Sequence, residues 1–425
     1  MTETKYWLWL SLALGSVSRR ITAVLESFDS PQEVYECHDK NVFSAIEGLD
    51  KKNVAALLDK STDKVEEVWE LCKNKGIRIL TYSSPFYPES LTNIYDPPYV
   101  LYVRCKEKIN LNNYLKIAMV GNRSSTEYGD AAATQLAYDI SLCGALVVSG
   151  MAEGIDGASH KGALLAGAPT VAVLGSGVDV CYPTFHKNIY ERIIENGMVI
   201  SEFPPGTPPY PYNFPIRNRI ISGLCEATVV VEAPLSSGSL ITADLALEQG
   251  REVFAVPGDI DKPRCAGTNN LIKQGAKIVT EGYDVIKEFA DLYSNVTLSP
   301  QEVKTAPEAK ANPQKEEIES YAQPKETKEA KKAEKKEKSK ETPEISLNPS
   351  SFLTVDDSDE EADFSKNVTS AEQAILDNLM LSPIHIDRLC EITGLSPHMA
   401  NSSLTLLEMR GLVKSHPGKN FSLKV

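Results

Sequence analysis

Glycines, a serine and a carboxylate lie together in the stretch 148–158, which reads VSGMAEGIDGA. An apolar run precedes it at 145–148 and an amphipathic segment follows at 155–166, so the sequence predicts a strand, a glycine loop and the start of a helix. Such a junction points backbone N–H groups and the positive helix end at one place, and glycine lets a phosphate reach the backbone. We therefore expect an anion site at this loop. The alternative is a tight strand-to-helix turn that requires glycines without any ligand.

A basic side chain follows another predicted strand. The residues Val120-Gly121-Asn122-Arg123-Ser124 end the apolar run 117–120. Arginine presents a planar fork of N–H groups that matches phosphate oxygens, so Arg123 is a candidate phosphate ligand. The alternative role for a lone arginine is an ordinary surface ion pair.

Arginines and aromatic rings combine in the segment 210–219, YPYNFPIRNR. At a predicted helix start, Arg217 and Arg219 flank the side-chain amide of Asn218. Three aromatic residues precede them, namely Tyr210, Tyr212 and Phe214. Neutralisation of backbone charge and a surface for stacking are what single-stranded nucleic acid requires of a protein. The alternative makes Arg217 and Arg219 charges on the helix surface and Phe214 a core residue.

Hydroxyl groups and a glycine open a further predicted helix. The segment 236–243, SSGSLITA, follows the apolar run 228–231 directly. Ser237, Gly238 and Ser239 therefore form a second candidate anion nest at a helix N-terminus. The alternative is that Ser239 only caps the helix.

The common nucleotide and metal fingerprints are absent from the sequence. Gly175-Ser176-Gly177 lacks the third glycine of a dinucleotide-binding turn, and no Gly-Lys-Ser/Thr of a P-loop occurs. The eight cysteines and six histidines do not approach metal-ligand spacing. We expect reduced thiols, no metal, no other cofactor and no catalytic residue.

The elements that must position these residues follow from the alternation of apolar runs and helical segments. Two short apolar runs, at 77–80 and 99–103, are predicted as strands around the loop 85–88. After them, further runs predicted as strands occur at 117–120, 145–148, 170–174, 198–200, 228–231 and 253–256. Helical segments occur at 128–142, 155–166, 186–196, 217–225 and 239–249. This pattern predicts an α/β fold with a doubly wound parallel sheet covered on both faces, in which ligands bind beyond the carboxyl ends of the strands.

Composition divides the chain into four predicted regions. Residues 1–75 show helical spacing and predict a small all-helical domain, SAM-like or helix-hairpin-helix-like, and 76–293 hold the α/β pattern. Residues 294–369 predict a disordered charged linker, since 325–341 carry eight Lys and five Glu without an apolar face. Residues 370–425 predict a winged helix. Its candidate recognition helix, 397–409, has no Lys or Arg and carries Glu408, which favours a protein-contact or regulatory role over reading of a DNA groove.

Net charge and hydropathy limit the location and the partners. A formal charge of −14 over 425 residues argues against coating of nucleic acid or anionic membrane, so any polyanion site must be local. The opening apolar run at 7–14 resembles the apolar part of a secretory signal, but it is short, Glu3 lies in its charged flank, and Arg19 and Arg20 follow it. No apolar segment reaches the roughly 20 residues that a membrane span requires. We expect a cytoplasmic protein with no membrane partner.

Seven motifs in order resemble those of the DNA processing protein A family, DprA or Smf. They are VGNRSSTEYG (120–129), SGMAEGIDGASHKGAL (149–164), LGSGVDVCYP (174–183), SEFPPG (201–206), FPIRNRIISGL (214–224), SSGSLITADLALEQGREVFAVPG (236–258) and GTNNLIKQGA (267–276). The resemblance covers about 78–290. The helical N-terminal region and the winged helix also resemble the longer members of the family.

The resemblance implies an extended Rossmann-like domain that binds single-stranded DNA without strong sequence preference and forms a homodimer. It implies that the protein loads the RecA recombinase onto strands released from single-strand binding protein, as in natural transformation. The implied single-strand DNA site comprises Gly121, Arg123, Ser124, Ser149, Gly150, Gly154, Ile155, Asp156, Lys161, Phe214, Arg217, Asn218, Arg219, Ser237, Gly238 and Ser239.

An enzyme is the alternative from a different class. The pattern also resembles a superfamily with phosphoribohydrolases, which release bases from nucleoside monophosphates and carry a catalytic glutamate in a PGGxGTxxE loop. Aligned on Gly238, that glutamate position is Thr242, and Ser236-Ser237 replace the double glycine. Asp156, Glu202, Glu232 and Asp244 lie near predicted strand ends, and each has an explanation as a loop or helix-start residue.

Overall fold

The computed structural model describes residues 1–15, 18–293 and 296, and in the C-terminal region 375, 384–393, 400, 403–404, 407–408, 413–416 and 420–423. The chain divides into two compact units, 1–326 and 327–425. Most of the predicted linker, 294–369, and part of the predicted recognition helix, 397–409, lie outside the described residues.

Six helices open the first unit. They are α1 (Glu3–Leu14), α2 (Ser18–Leu25), α3 (Pro31–Glu36), α4 (Lys40–Ser44), α5 (Lys51–Leu58) and α6 (Asp63–Asn74). Local sequence fixes several of their ends: Ser30 caps α3, and Asp50 with Asn53 forms a reciprocal capping box at α5. Helix α1 is the centre of this group because it buries two tryptophans and three leucines. The prediction of helices in this region is confirmed.

The N-terminal helices share an apolar core with the sheet that follows. The Trp7 ring of α1 stacks on Tyr99 at a centroid distance of 5.5 Å and an interplanar angle of 11°. The Trp7 indole N–H donates to Ser83 Oγ at 3.0 Å, and the hydroxyls of Thr22 and Tyr99 are 3.0 Å apart. Aromatic stacking with satisfied polar atoms therefore holds the helices against the edge of the sheet.

Nine strands form one sheet in the order β1-β2-β6-β5-β4-β3-β7-β8-β9. They are β1 (Arg78–Thr81), β2 (Val100–Arg104), β3 (Lys116–Val120), β4 (Leu146–Ser149), β5 (Thr170–Val173), β6 (Met198–Ser201), β7 (Ala227–Val230), β8 (Glu252–Ala255) and β9 (Lys277–Ile278). Strands β3 to β9 are parallel, whereas β1 pairs antiparallel with β2, and β2 antiparallel with β6. Strands β3 to β8 correspond to the six apolar runs that predicted a parallel sheet, and that prediction is confirmed. The two earlier runs form an antiparallel edge, because the β1–β2 connection reverses the chain direction without a crossover of the βαβ type.

Helices cover both faces of the sheet. They are α7 (Glu89–Thr92), α8 (Glu127–Leu142), α9 (Ile155–Leu165), α10 (Lys187–Asn196), α11 (Asn213–Leu224), α12 (Gly238–Glu248), α13 (Ala266–Lys273) and α14 (Gly282–Ile286). The inner strands are buried on both faces, as their unbroken apolar runs predicted. Helix α11 begins four residues before the predicted 217. Pro215 sits in its first turn, where the missing N–H costs no helical hydrogen bond.

The strand order places a topological switch point beside β3. The chain moves from β3 outward through β4, β5 and β6, and then returns to pair β7 with the other side of β3. The loops after β3 and β7 therefore leave the sheet in opposite directions and open a crevice at the carboxyl ends. The predicted site segments at 121–124 and 236–239 follow these two strands.

The second unit contains a three-stranded antiparallel sheet and a helix among its described residues. They are β10 (Ile384–His385), β11 (Val413–His416), β12 (Asn420–Leu423) and α15 (Ile386–Thr393), with the sheet order β10-β12-β11. Residues from α15 and from the predicted recognition helix share a small apolar core. Glu408 accepts a hydrogen bond from the backbone N–H of Ser415 at 3.2 Å and another from its hydroxyl, so this carboxylate anchors β11.

Over the described residues, no helix combines the length and the apolar character that crossing a membrane requires. The same residues contain no group of three or more His, Cys, Asp or Glu side chains arranged to hold a metal ion. All eight cysteines are free thiols.

Candidate nucleic-acid interface

The loops after β3, β4 and β7 interlock at the carboxyl edge of the sheet. The Asn122 N–H donates to the Glu232 carbonyl at 2.7 Å, and the Ile155 N–H donates to the Asn122 carbonyl at 3.3 Å. A Cβ on Gly121 would lie 2.5 Å from Ile155 Cγ1. Gly154 has φ +76°, and a Cβ there would collide with the Asn122 carbonyl oxygen. Both glycines are therefore required by the packing of the loops, whatever they bind.

Asp156 occupies the amide nest of the glycine loop. Its Oδ2 accepts hydrogen bonds from the N–H of Gly150 at 3.1 Å and from that of Ala152 at 3.3 Å. Burial raises the pKa of this carboxyl against the opposing attraction of Arg217 and the loop amides. The carboxylate of the chain itself thus takes two amides of the loop, and the anion site expected there stays a prediction.

Arg217 lies in the interior, with 3% of its surface exposed. Its Nη1 donates to the Gly150 carbonyl at 2.7 Å and also to the Val173 carbonyl, so the guanidinium ties α11 to the ends of β4 and β5. Burial lowers its pKa to about 10, against the attraction of Asp156, and the group stays charged at neutral pH. Arg217 is therefore not the helix-surface charge of the alternative interpretation.

Arg219 is also buried, on the far side of α11 from the glycine loop. Its Nη2 donates to Glu202 Oε1 at 2.7 Å, and its Nε donates to Asp96 Oδ2 at 3.3 Å. Burial alone would lower the pKa of Arg219, but the two carboxylates outweigh it and raise the pKa. The helix-surface alternative is wrong here as well. Asn218 lies between the two arginines, half-buried, and its Oδ1 accepts from Arg217 Nε at 3.2 Å.

Arg123 presents the accessible charge at this edge. The residue is exposed, and its guanidinium carbon lies 5.1 Å from the centroid of the Phe214 ring. Phe214 is half-buried, and the Tyr182 ring lies 5.7 Å from it. A cation–π contact therefore holds an exposed guanidinium beside an aromatic pair. An anion bound to Arg123 would therefore lie next to these two aromatic rings.

The remaining predicted residues have defined places. Ser149 is buried, and its hydroxyl donates to the Met119 carbonyl at 2.6 Å. Lys161 lies half-buried on α9. Ser237, not Ser239, is the N-cap of α12, and its Oγ lies 2.7 Å from that of Ser239. Gly238 has open space around it.

Arg264 is an exposed cation at this edge that no sequence pattern singled out. It lies in the loop after β8, and its Nη1 donates to the Ser124 carbonyl in the exposed loop after β3. The same carbonyl accepts from Asn122 Nδ2 at 2.8 Å. Its position after a predicted strand of the same sheet could have indicated that Arg264 lies at this edge. An isolated arginine belongs to no local sequence motif, however, and so it was not selected.

A family model described as DNA recombination-mediator protein A matches residues 78–290, half of the 425-residue chain. The chain belongs to this family. A second model, the DprA winged helix domain, matches 359–419, which confirms the winged helix predicted for the C-terminal region. Membership of this family identifies the chain as a DNA-processing protein that acts in recombination.

Relatives and solved structures agree with this assignment. The DNA processing protein DprA of Streptococcus pneumoniae is 43% identical over 203 residues, 48% of this chain and 71% of the relative. That of Bacillus subtilis is 41% identical over 228 residues, 54% of this chain and 76% of the relative. The X-ray structure of the S. pneumoniae protein aligns with a TM-score of 0.60 and 33% identity, over 68% of this chain and 98% of that chain. The α/β fold of the family is thus confirmed.

Within this DprA fold, three of the four carboxylates considered for catalysis are buried and pair with other groups of the chain, whereas Asp244 is exposed. Glu232 is buried and accepts from the backbone and the hydroxyl of Thr126, the N-cap of α8. Glu202 pairs with Arg219, and Asp156 fills the glycine loop. Thr242, at the glutamate position of the phosphoribohydrolase motif, is buried in α12. These interactions give the three buried carboxylates structural roles.

A buried histidine under the glycine loop was not singled out from the sequence. His160 Nδ1 lies 2.9 Å from Thr170 Oγ1, whose own hydrogen is donated to the Val147 carbonyl. The ring therefore donates from Nδ1, and Nε2 has no hydrogen-bond partner among the described residues. Burial, with smaller contributions from His186 and Arg217, lowers the pKa of His160 to about 3, so the ring is neutral.

Proposed function

We propose that this protein binds single-stranded DNA without strong sequence preference at the edge formed by the loops after β3 and β4 and the start of α11. The observation that carries the proposal is the exposed Arg123 guanidinium 5.1 Å from the Phe214 ring. A cation beside a half-buried ring fits a phosphate next to an unpaired base, since stacking on aromatic rings tolerates every base. Arg217, Asn218, Arg219 and the glycine loop act as the frame that holds this pair.

The single strand is favoured over the duplex on physical grounds. A duplex hides its base faces in the stack, whereas Phe214 and Tyr182 offer ring surface that only an unstacked base can use. The net charge of −14 opposes binding by the surface as a whole, so attraction must be local to the arginine edge. Affinity should therefore be confined to single strands and fall with salt.

The direct experiment is a titration of the purified protein with fluorescent oligo-dT and with the matching duplex at several salt concentrations. Micromolar or tighter binding confined to the single strand, with a negative salt slope, is the expected result. A mixed-sequence strand of the same length should bind comparably. A folded protein that binds neither nucleic acid would contradict the proposal.

Arg123→Ala should weaken single-strand binding by about tenfold at low salt. It should also reduce the magnitude of the log–log salt slope by about 0.7, the value for one phosphate that is no longer neutralised on a single strand. The matched control is Lys52→Ala, which removes an exposed cation from helix α5. Equal affinity and slope for Arg123→Ala and the control would remove Arg123 from the interface.

We further propose that binding serves to load RecA recombinase onto strands held by single-strand binding protein, that the protein works as a homodimer in the cytoplasm, and that it catalyses no reaction. Family membership and the structural use of the buried carboxylates support this view. RecA ATPase activity on a strand coated with single-strand binding protein should rise when this protein is added. No rise would contradict loading, and a single protomer mass by light scattering would contradict the dimer.

A further inference from the structure

Two exposed tyrosines are stacked on each other just before α11. The rings of Tyr210 and Tyr212 have centroids 5.4 Å apart and planes 8° from parallel. Tyr210 is 44% exposed and Tyr212 is 64% exposed. Such large rings are usually turned into a core or an interface, because their apolar faces are costly to hydrate. A parallel pair at the surface is instead a flat platform open to solvent.

The backbone that carries this pair is rigid. Prolines at 208, 209 and 211 fix the chain direction around the two tyrosines. The preceding turn is tied to the loop after β5, because the Gly177 N–H donates to the Thr207 carbonyl at 2.9 Å and the Gly206 N–H donates to Asp179 Oδ1 at 2.7 Å. Lys75 pairs with Asp179 Oδ2 at 2.6 Å. Little conformational entropy remains to be lost when a ligand lies on the rings.

The platform adjoins the proposed single-strand site. Tyr212 is the N-cap residue of α11, and Phe214 follows two residues later. Asn213 Nδ2 donates to the Gly175 carbonyl at 2.9 Å, which fixes the helix start against the loop that also carries Tyr182. Aromatic surface therefore extends from the Arg123–Phe214 pair along one continuous stretch of chain.

We propose that Tyr210 and Tyr212 form a second base-stacking platform, which receives unpaired nucleobases of a strand whose phosphate is held at Arg123. This inference rests on the proposed function. The pair carries no charge, so its contribution comes from stacking and not from phosphate neutralisation. It lengthens the occupied part of the strand beyond the Arg123–Phe214 pair.

The test compares wild-type protein with Tyr210→Ala/Tyr212→Ala on oligo-dT strands of increasing length. Affinity for the shortest strands that bind should be unchanged. Affinity for longer strands should fall by about fivefold to a hundredfold for each base that no longer stacks, with the salt slope unaltered. A long strand with abasic sites should bind the wild type about as weakly as the intact strand binds the variant.

Controls separate stacking from other effects. Tyr210→Phe/Tyr212→Phe keeps the rings and should bind like the wild type, whereas Tyr210→Leu/Tyr212→Leu keeps apolar area without a flat face and should bind like the alanine variant. Leu247→Ala removes a comparably exposed apolar side chain, 58% exposed, near the end of α12 and should change nothing. Tyr212→Ala alone, which removes the more exposed ring, serves if the double variant folds poorly.

The outcomes are distinct. Wild-type affinity of the alanine variants for long strands, or a leucine variant as tight as the wild type, would overturn the stacking platform and leave the proposed function standing. A fall in salt slope together with affinity would also overturn it, because the tyrosines would then be acting on phosphate. A wild-type protein that binds no single strand would overturn the proposed function and this inference with it.

Discussion

Arg123 and Arg217 carry the same charged group in opposite environments. The Arg123 guanidinium is exposed and touches one ring, Phe214. The Arg217 guanidinium is buried, hydrogen-bonded to two strand-end carbonyls and balanced by Asp156. The first is available to a ligand, whereas the second is part of the structure that presents it.

Arg217→Ala should destabilise the first unit. The substitution leaves the buried Asp156 carboxylate without its balancing charge, a change that typically costs about 3–5 kcal/mol. The thermal midpoint should fall by about 5–15 °C, whereas Arg123→Ala, at an exposed position, should leave it almost unchanged. The midpoints can be compared by circular dichroism. A fully stable Arg217→Ala variant that has lost DNA affinity would instead return Arg217 to the interface itself.

At the scale of elements, the site depends on three loops that fit together only with glycine at certain positions. Gly154 connects β4 to α9 with a positive φ and lies against the carbonyl of Asn122. Gly238 opens α12 with no atom within 4 Å of its absent Cβ. Both glycines lie at the N-termini of helices, but only Gly154 is required by the packing of the loops.

Gly154→Ala and Gly238→Ala should therefore change the free energy of unfolding in opposite directions. The first forces an L residue into a conformation that favours glycine and drives its Cβ into backbone, which should cost at least about 2 kcal/mol. The second meets no atom and improves helix propensity, so stability should stay equal or rise by up to about 1 kcal/mol. Urea unfolding followed by tryptophan fluorescence measures both. Equal destabilisation of the two variants would contradict the packing argument.

At the scale of the whole molecule, the candidate site lies entirely within the first unit. Its predicted residues fall between Gly121 and Ser239, and the N-terminal helices reach its neighbouring loop through Lys75 and Asp179. The winged helix belongs to the second unit. Its Glu408 accepts from Ser415 within the domain, and the role predicted for this domain stays a prediction.

Deletion of residues 370–425 should consequently leave single-strand affinity within about twofold of the full-length protein, a free-energy change below about 0.5 kcal/mol. The arginine edge and the aromatic rings remain in place, and no basic residue precedes Arg410 in the candidate recognition helix. Titration of both proteins with the same labelled oligo-dT at one salt concentration makes the comparison. A tenfold loss would mean that the winged helix contacts the strand.

The sequence by itself determined most strands and helices of the α/β region and where the candidate loops lie, although the short strand β9 and the helices α7, α13 and α14 were not among the predicted segments. Period and apolar runs are local properties, and the rule that parallel strands end at one edge then brings the loops after β3, β4 and β7 together. The order of the motifs also identified the family. The antiparallel edge was not available from the sequence, since a short apolar run has the same pattern in either direction.

Only the tertiary structure decided which charged groups face outward. Arg123 lies in the loop after β3 and Arg217 lies in α11, and nothing beside them in the sequence separates an exposed guanidinium from a buried one. The groups that bury Arg217 and Arg219 are Gly150, Val173, Glu202 and Asp96, and the nearest of these in sequence is 17 residues away, the farthest 123. The partners of Asp156, by contrast, are local, since the Gly150 and Ala152 amides lie only six and four residues before it. The burial and pairing of the two arginines of α11 depend on partners that are distant in the sequence. The tertiary structure therefore decides whether a charged side chain is part of the buried framework or is available to a ligand.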